Sequence, residues 1–489
     1  YRMLRRLSLA IAVAAATSAS AWATEAPLST KTDLISVYQE AAKNNAALAA
    51  ARAQYMARIE AVPQARAALL PNLSATGTVQ DTRTSIDSVE TPLGSSSPAN
   101  SRSGNSYQAN LSQPLFNAAA WFQLKAAEST SQQASLEFSA TEQDLILQSA
   151  QVYFNILRAQ DGLATSKAEE AAFKRQLDQS NERFDVGLSD KTDVLESQAG
   201  YDTSVANRII AQQQVDNAFQ ALTTLTNRDY SAVDGMRHSL PIMPPTPSDA
   251  KAWVDTAAQQ NLRLLSSNYA VDAADESLRK SKSGHAPTVT AVASYGKGDN
   301  DNFGFTNSGQ NLAPRYGSDV AQGQIGLQLS VPIFSGGLTS SQVRQSYEQL
   351  NQSEQSREQL RREVVQNTRN LYRAVTSDVQ QVQARKQSVI SNQSSLEATQ
   401  IGYQVGTRNI VDVLNAQRAL YASVRNYNDA RYGYILDNLS LKQVAGTLSP
   451  ADLEALAAFL NKDYNPDTDY LPPDLAKAAE AQLRGDSNY

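Results

Sequence analysis

The sequence predicts an α+β membrane protein built as two tandem structural repeats, each with two short strands and a long helical hairpin. Three observations predict it. Val186-Gly187, followed six residues later by Asp193-Val194-Leu195, returns as Val405-Gly406 with Asp412-Val413-Leu414, at an interval far beyond any solenoid period. Four segments of about ten residues alternate apolar and polar side chains, the pattern of strands with two unlike faces. Proline-free stretches lie among them, and the one from 117 to 186 would make a single helix about 100 Å long.

Composition excludes several classes of function. With 11 Phe and 3 Trp among 489 residues, the chain has little material for compact globular cores. A formal charge of −6 spread along it offers no basic patch for nucleic acid. The lack of cysteine excludes disulfides, thiolate metal sites, a thiol nucleophile and an N-terminal lipid anchor. His238 and His285, the only imidazoles, read as turn residues, so neither metal nor cofactor is expected. Arg5-Arg6, the apolar run from Leu7 to Ala16 and the small residues at Ala19-Ser20-Ala21 or Ala21-Trp22-Ala23 make 1–23 a signal peptide, and the remainder of the chain is exported.

The rest divides into a first repeat at 24–227, a linker at 228–250 holding four prolines, a second repeat at 251–446, and a C-terminal helix with a polar tail at 447–489. Residues 32–66 are Ala-rich with helical spacing, through Leu34, Val37, Ala41 and Leu48. After Pro71, residues 72–81 alternate as a strand. Residues 82–105 read as a surface loop, and a second strand from Tyr107 ends at Pro114. The long helix follows to Val186, then the Gly187 turn, then a helix from Thr192 to Thr226 with an apolar stripe at Val194, Tyr201, Val205, Val215, Phe219 and Leu222.

The second repeat replays each step. A helix spans 252–278, with Asn261 matching Asn44, and Pro287 matches Pro71. Strands at 288–295 and 324–331 flank a loop at 296–319, and Pro332 matches Pro114. The next long helix keeps a seven-residue beat at Val375, Val382, Val389, Leu396 and Tyr403; its partner keeps one at Val413, Leu420, Tyr427, Tyr434 and Leu441, the mark of coiled-coil packing. A last apolar helix contains Leu453, Leu456, Ala457 and Leu460, and the polar tail after it is expected to be disordered.

Strands of this length cross an outer-membrane-type bilayer when tilted. Four cannot close a barrel, so several chains must share one. Two chains give about eight strands, whose interior side chains fill; three give about twelve and leave a lumen. The smallest conducting assembly is therefore a homotrimer: a 12-stranded β-barrel, four strands per chain, continuous with a long antiparallel α-helical barrel. Gly187 and Gly406 suit the left-handed turn that ends a helix, while Thr192 or Asp193, and Asn409 or Asp412, cap the next helix or lie in its first turn.

The paired halves, the prolines 71, 114, 287 and 332 at the barrel-to-helix junctions, and above all the stretch Val405-Gly406-Thr407-Arg408-Asn409-Ile410-Val411-Asp412-Val413-Leu414 resemble the TolC family of outer-membrane efflux channels. The resemblance spans about Asp33 to Leu460. It implies a trimeric duct in outer-membrane lipid that reaches across the periplasm to a periplasmic adaptor and an inner-membrane ABC or RND-type transporter. It also implies passage of proteins by type I secretion or of small toxic compounds.

The resemblance further implies a gate network of Thr192, Asp193, Tyr403 and Arg408, through Asp193–Tyr403 and Thr192–Arg408 contacts. It implies an acidic constriction ring at Asp412, halved in charge because Asn415 stands at the second acidic position. Adaptor docking falls on Val186, Gly187, Leu188, Val405, Gly406 and Thr407. From the residues alone, the gate positions also read as solvated or capping residues and the glycines as plain turns. An exported coiled-coil structural or adhesive protein is the competing class, and it leaves the four strands unexplained. An enzyme would need a nucleophile, base and orienter grouping that the sequence does not supply.

Overall fold

The computed structural model describes residues 29–85, 89–91, 94–96, 99–299 and 319–472. The signal peptide at 1–23, most of the loop read at 296–319 and the tail beyond 472 lie outside the described residues. The first repeat runs β1 (Ser29–Thr32), α1 (Leu34–Asn44), α2 (Ala46–Ile59), α3 (Ala61–Ala67), β2 (Asn72–Ser85), a small hairpin of β3 (Val89–Thr91) and β4 (Gly94–Ser96), β5 (Ala99–Phe116), α4 (Ala118–Asp185) and α5 (Lys191–Thr226). Two short strands follow, β6 (Tyr230–Val233) and β7 (Gly235–Met236). The second repeat is α6 (Ala250–Gln260), α7 (Leu262–Lys282), β8 (Thr288–Asp299), β9 (Asp319–Ser330), α8 (Leu338–Gln404) and α9 (Ile410–Val444); α10 (Pro450–Ala457), β10 (Leu460–Asn461) and α11 (Pro466–Asp469) close the described chain.

The long strands form one antiparallel sheet in the order β2-β5-β8-β9. Its register aligns Leu73, Leu111, Ala293 and Ile325 in one cross-strand row and Ser74, Asn110, Ser294 and Gln324 in the next, so one face is mainly apolar, with Gln113 and Lys297 as polar positions toward its two ends. Within the chain that face has no cover: Ile325 is 88% exposed. The sheet also exceeds the expectation. Much of the stretch read as a loop at 82–105 is extended and paired, because backbone partners on the facing strand outweigh the weak strand propensity of Ser and Asn. Pro114 does not end β5, which continues to Phe116 through a register shift that accommodates the missing N–H.

The junctions differ between the repeats. Pro71 and Pro287 stand directly before β2 and β8. Asn117 caps α4 by accepting from the Ala120 N–H at 3.0 Å. The corresponding turn after Pro332 passes through Gly336 and Gly337, both at positive φ, before α8 begins.

Each of the helices read at 32–66 and 252–278 is broken by an asparagine. Asn45 and Asn261 are extended and accept from the N–H three residues on, at 2.9 Å in both cases. Asn45, not Asn44, is thus the counterpart of Asn261. Laterally, α4 lies between α5 with α1–α3 on one side and α9 with α7 on the other, and α8 packs on the far side of α9 and α7. The chain is therefore a wall with α5 and α8 as its two borders.

The seven-residue beat of α8 and α9 is the buried seam, with Val375 and Val413 fully buried. Along α5 the buried stripe shares Val215 and Leu222 with the predicted one and otherwise runs through small residues beside it, Ser197, Gly200, Ser204 and Ala211. Small residues let α5 approach α4 closely: a Cβ on Gly200 would sit 2.8 Å from the Phe173 ring. Among the described residues no helix is long and apolar enough to cross a membrane.

The segment between the repeats and the start of the C-terminal segment together build a belt around mid-wall. β6 pairs with β1, and β7 with β10; Leu460 lies in that strand and not in the preceding helix. Residues 461–472, expected to be disordered, pack onto the helices instead. Tyr464 and Tyr432 both donate to the carboxylate of Asp161, the latter at 2.8 Å, and the Tyr464 ring lies against Gly235. His238 lies in a turn, as expected, and is packed there: its ring stacks on Tyr427, Nε2 is 2.9 Å from the Asp469 carbonyl oxygen, and burial lowers its pKa to about 4, keeping it neutral.

Burial raises the Asp161 carboxyl to about 6, against the pull of the two tyrosyl hydroxyls. A raised folded-state value means that the folded protein binds the proton more tightly than the unfolded chain. The group's contribution is greatest below about pH 4 and is lost as pH rises through 6. Lowering pH from 7.5 to 5 should therefore raise the thermal stability of the wild type relative to Asp161→Asn, by about 1.4 kcal/mol per chain, one pH unit below the folded value. A stability difference independent of pH over that range contradicts this.

Candidate gate at the helix tips

Both tips are built alike. The Leu188 N–H donates to the Arg183 carbonyl at 2.8 Å and the Gly187 N–H to Phe184 at 2.9 Å, the paired bonds that end a helix in a left-handed residue. Thr407 and Gly406 repeat them onto Gly402 and Tyr403. Gly187 and Gly406 have φ of 74° and 79°, and a Cβ on either would meet nothing within 4 Å. Backbone conformation, not crowding, is what calls for glycine there.

The capping alternatives resolve differently at the two turns. Asp190 caps α5, accepting from the Thr192 and Asp193 N–H groups at 2.9 and 3.1 Å, so those two lie in the first turn. Asn409 caps α9, accepting from the Asp412 N–H at 2.9 Å. Asp193 and Asp412 thus place carboxylates at helix N-termini, where the macrodipole favours negative charge.

The structure brings Tyr403 and Asp193 together: the buried phenol donates to Asp193 Oδ2 at 3.3 Å across two helices. Burial first, then the Asp193 charge, raises the phenol's pKa, so it remains a donor. The Arg183 guanidinium lies over the Tyr403 ring, 5.0 Å from its centre, and Arg183 Nε is buried without a hydrogen-bond partner. The structure does not bring Thr192 and Arg408 together within the chain. Arg408 lies across Gly402, whose Cβ would come 2.8 Å from its Cγ, and reaches Asp412 at 3.8 Å one helical turn away.

Asp412 is therefore partly screened, and Asn415 accepts from Arg418 Nη1 at 3.1 Å. Arg418 in turn covers the Phe173 ring, and Ser180 and Ser197 share a buried hydroxyl contact of 2.9 Å between α4 and α5. Sequence reasoning missed Arg183, Arg418 and these small residues. Phe173, Ser180 and Gly187 are spaced by sevens, a signal visible only when small residues count as packing positions. At the ends, Val186, Leu188 and Val405 are each more than two-thirds exposed and crown the tips with apolar surface. Among the described residues no cluster suited to a metal ion is present.

An apolar-faced open sheet carried on helices about 100 Å long defines one chain of an oligomeric outer-membrane channel whose helical part extends into the periplasm. The chain belongs to the outer membrane efflux protein family, whose profile matches residues 37–228 and 253–447, one segment per repeat. It is 36% identical to the outer membrane protein TolC of Vibrio cholerae over 421 residues, covering 86% of this chain and 92% of that protein. It is 29% identical to the alkaline protease secretion protein AprF of Pseudomonas aeruginosa, covering 73% of each. The solved structure of the Campylobacter jejuni CmeC outer membrane channel has the same fold, with a TM-score of 0.72 at 16% identity over 88% of this chain and 90% of that one.

If three Asp412 carboxylates face one lumen, Asp412→Asn should lower cation-over-anion selectivity about threefold, or about 0.6 kcal/mol, in reversal potentials across planar bilayers. An unchanged reversal potential would remove Asp412 from the conducting path.

Proposed function

We propose that the protein is the exit duct of a tripartite export system, a homotrimer whose periplasmic tips dock an adaptor fed by an inner-membrane ABC or RND-type transporter. Proteins delivered by type I secretion, small toxic compounds, or both leave through it. The observation that carries this reading is the Tyr403–Asp193 contact, made at the far end of the helices from the sheet. A phenol and a carboxylate at 3.3 Å in partly wet surroundings exchange for water at modest cost, which suits a latch.

Thr192 and Arg408 complete the proposed network. With Arg408 turned to Asp412 in the isolated chain, its contact with Thr192 is left to rearrangement in the assembled ring. Val186, Gly187, Leu188, Val405, Gly406 and Thr407 form the docking surface, because exposed apolar residues beside bare turn backbone admit a close helix-to-helix approach. The secretion role in the name of the Pseudomonas relative supports protein cargo, and the family's name supports efflux.

Tyr403→Phe combined with Arg408→Ser should raise single-channel conductance severalfold in planar bilayers; an unchanged conductance removes these residues from the gate. Cysteine at Ser189 should crosslink to the periplasmic adaptor in cells, and labelling confined to the channel itself contradicts docking at the tips. A deletion strain that loses an exported protein, becomes hypersensitive to drugs, or does both separates the cargo classes.

A further inference from the structure

Near the tips, one helix of the first repeat grips both long helices of the second through aromatic rings. The Arg183 guanidinium of α4 lies 5.0 Å from the centre of the Tyr403 ring on α8. About 15 Å back along α4, the Phe173 ring lies under the guanidinium of Arg418 on α9, at 5.6 Å. The two contacts are reciprocal. The first repeat supplies the cation in one and the ring in the other.

Both rings are buried, Phe173 at 1% and Tyr403 at 7% exposure, and a cation gains most from a ring face shielded from water. Arg183 Nε is itself buried without a hydrogen-bond partner, so the ring is what that part of the guanidinium has in place of an acceptor. Arg418 donates to Asn415 on its own helix, Nη1 to Oδ1 at 3.1 Å, which aims its plane across the seam. Gly200 on α5 keeps that contact open. A Cβ there would stand 2.8 Å from the Phe173 ring and 3.8 Å from Arg418 Nη2.

Tyr403 is therefore held at two places by different chemistry. Its hydroxyl donates to Asp193 on α5 at 3.3 Å, a bond that disappears with the oxygen. Its face meets Arg183 on α4, a contact that needs only the ring. Phe173 has no hydroxyl, and Arg418 covers it all the same.

On the reading of these tips as a gate, on which this rests, we propose that Arg183 on Tyr403 and Arg418 on Phe173 are two cation–ring clasps holding the second-repeat hairpin against α4 in the closed tip. They act separately from the Tyr403–Asp193 bond. Removing the Tyr403 hydroxyl releases one lock and leaves the clasps engaged; full parting of the hairpins requires the rings and guanidinium groups to separate as well.

Mean single-channel conductance of the full-length protein in planar bilayers reads the clasps. Arg183→Gln and Arg418→Gln keep the side-chain stem and remove the charge, and each should raise conductance about threefold, the shift that loss of one such contact gives a closed–open equilibrium. Arg183→Lys returns a cation to the ring and should stay near the wild type. On top of Tyr403→Phe, where the ring remains, Arg183→Gln should act as strongly as in the wild type. On top of Tyr403→Leu it should add nothing, while Arg408→Ser still raises conductance there and so shows that the channel is not already fully open. Arg418→Gln should likewise add nothing once Phe173 is replaced by Leu.

Arg183→Gln without effect on the Tyr403→Phe channel, or with an undiminished effect on the Tyr403→Leu channel, overturns the first clasp and leaves the gate standing. So does Arg183→Lys conducting as well as Arg183→Gln. An undiminished effect of Arg418→Gln beside Phe173→Leu overturns the second clasp. If Tyr403→Leu itself leaves conductance unchanged, the gate reading falls and the clasps fall with it.

Discussion

A backbone N–H or C=O left unpaired in hydrocarbon costs several kcal/mol, and the four-stranded sheet of the described residues ends in β2 and β9, each with one edge unpaired. The rest of the architecture follows from that constraint. The four-stranded sheet has one mainly apolar face and no cover for it within the chain, so it fits lipid, yet it cannot enter lipid alone. Sharing a barrel among copies satisfies the edges, and three copies leave a lumen. The helices inherit the ring from the strands they continue.

Once in a ring, the helices form a wall with water on both sides, and their composition reflects it. Packing is confined to narrow seams: Val375 to Tyr403 along α8, and small residues where α5 meets α4. Gly200 against Phe173 shows how the seam gains contact by close approach and not by bulk. The mid-wall belt supplies what narrow seams lack. It buries Tyr153, Phe154 and Tyr432 together and ties the C-terminal segment to Asp161.

Periodicity makes much of this legible. The seven-residue beat marks the α8–α9 seam residue by residue, and the Val-Gly repeats mark both tips, because few conformations other than a left-handed turn explain glycine at those points. Strand ends are less legible. Ser- and Asn-rich sequence reads as loop, while the ladder partner that holds it extended lies on another strand. Sequence matches Asn44 to Asn261 although Asn45 breaks the helix, because either amide can cap and only backbone geometry decides. The gate is legible only in part: Tyr403 and Asp193 meet, but Arg408 follows its neighbour Asp412, and Arg183 becomes visible only in three dimensions.

The architecture depends on the number of chains that close one barrel. Native mass spectrometry of the intact protein released from detergent measures that number without reference to any single residue. Three chains per particle is the predicted result. A monomer, or a dimer whose eight strands have no room for a lumen, would contradict the account at its base.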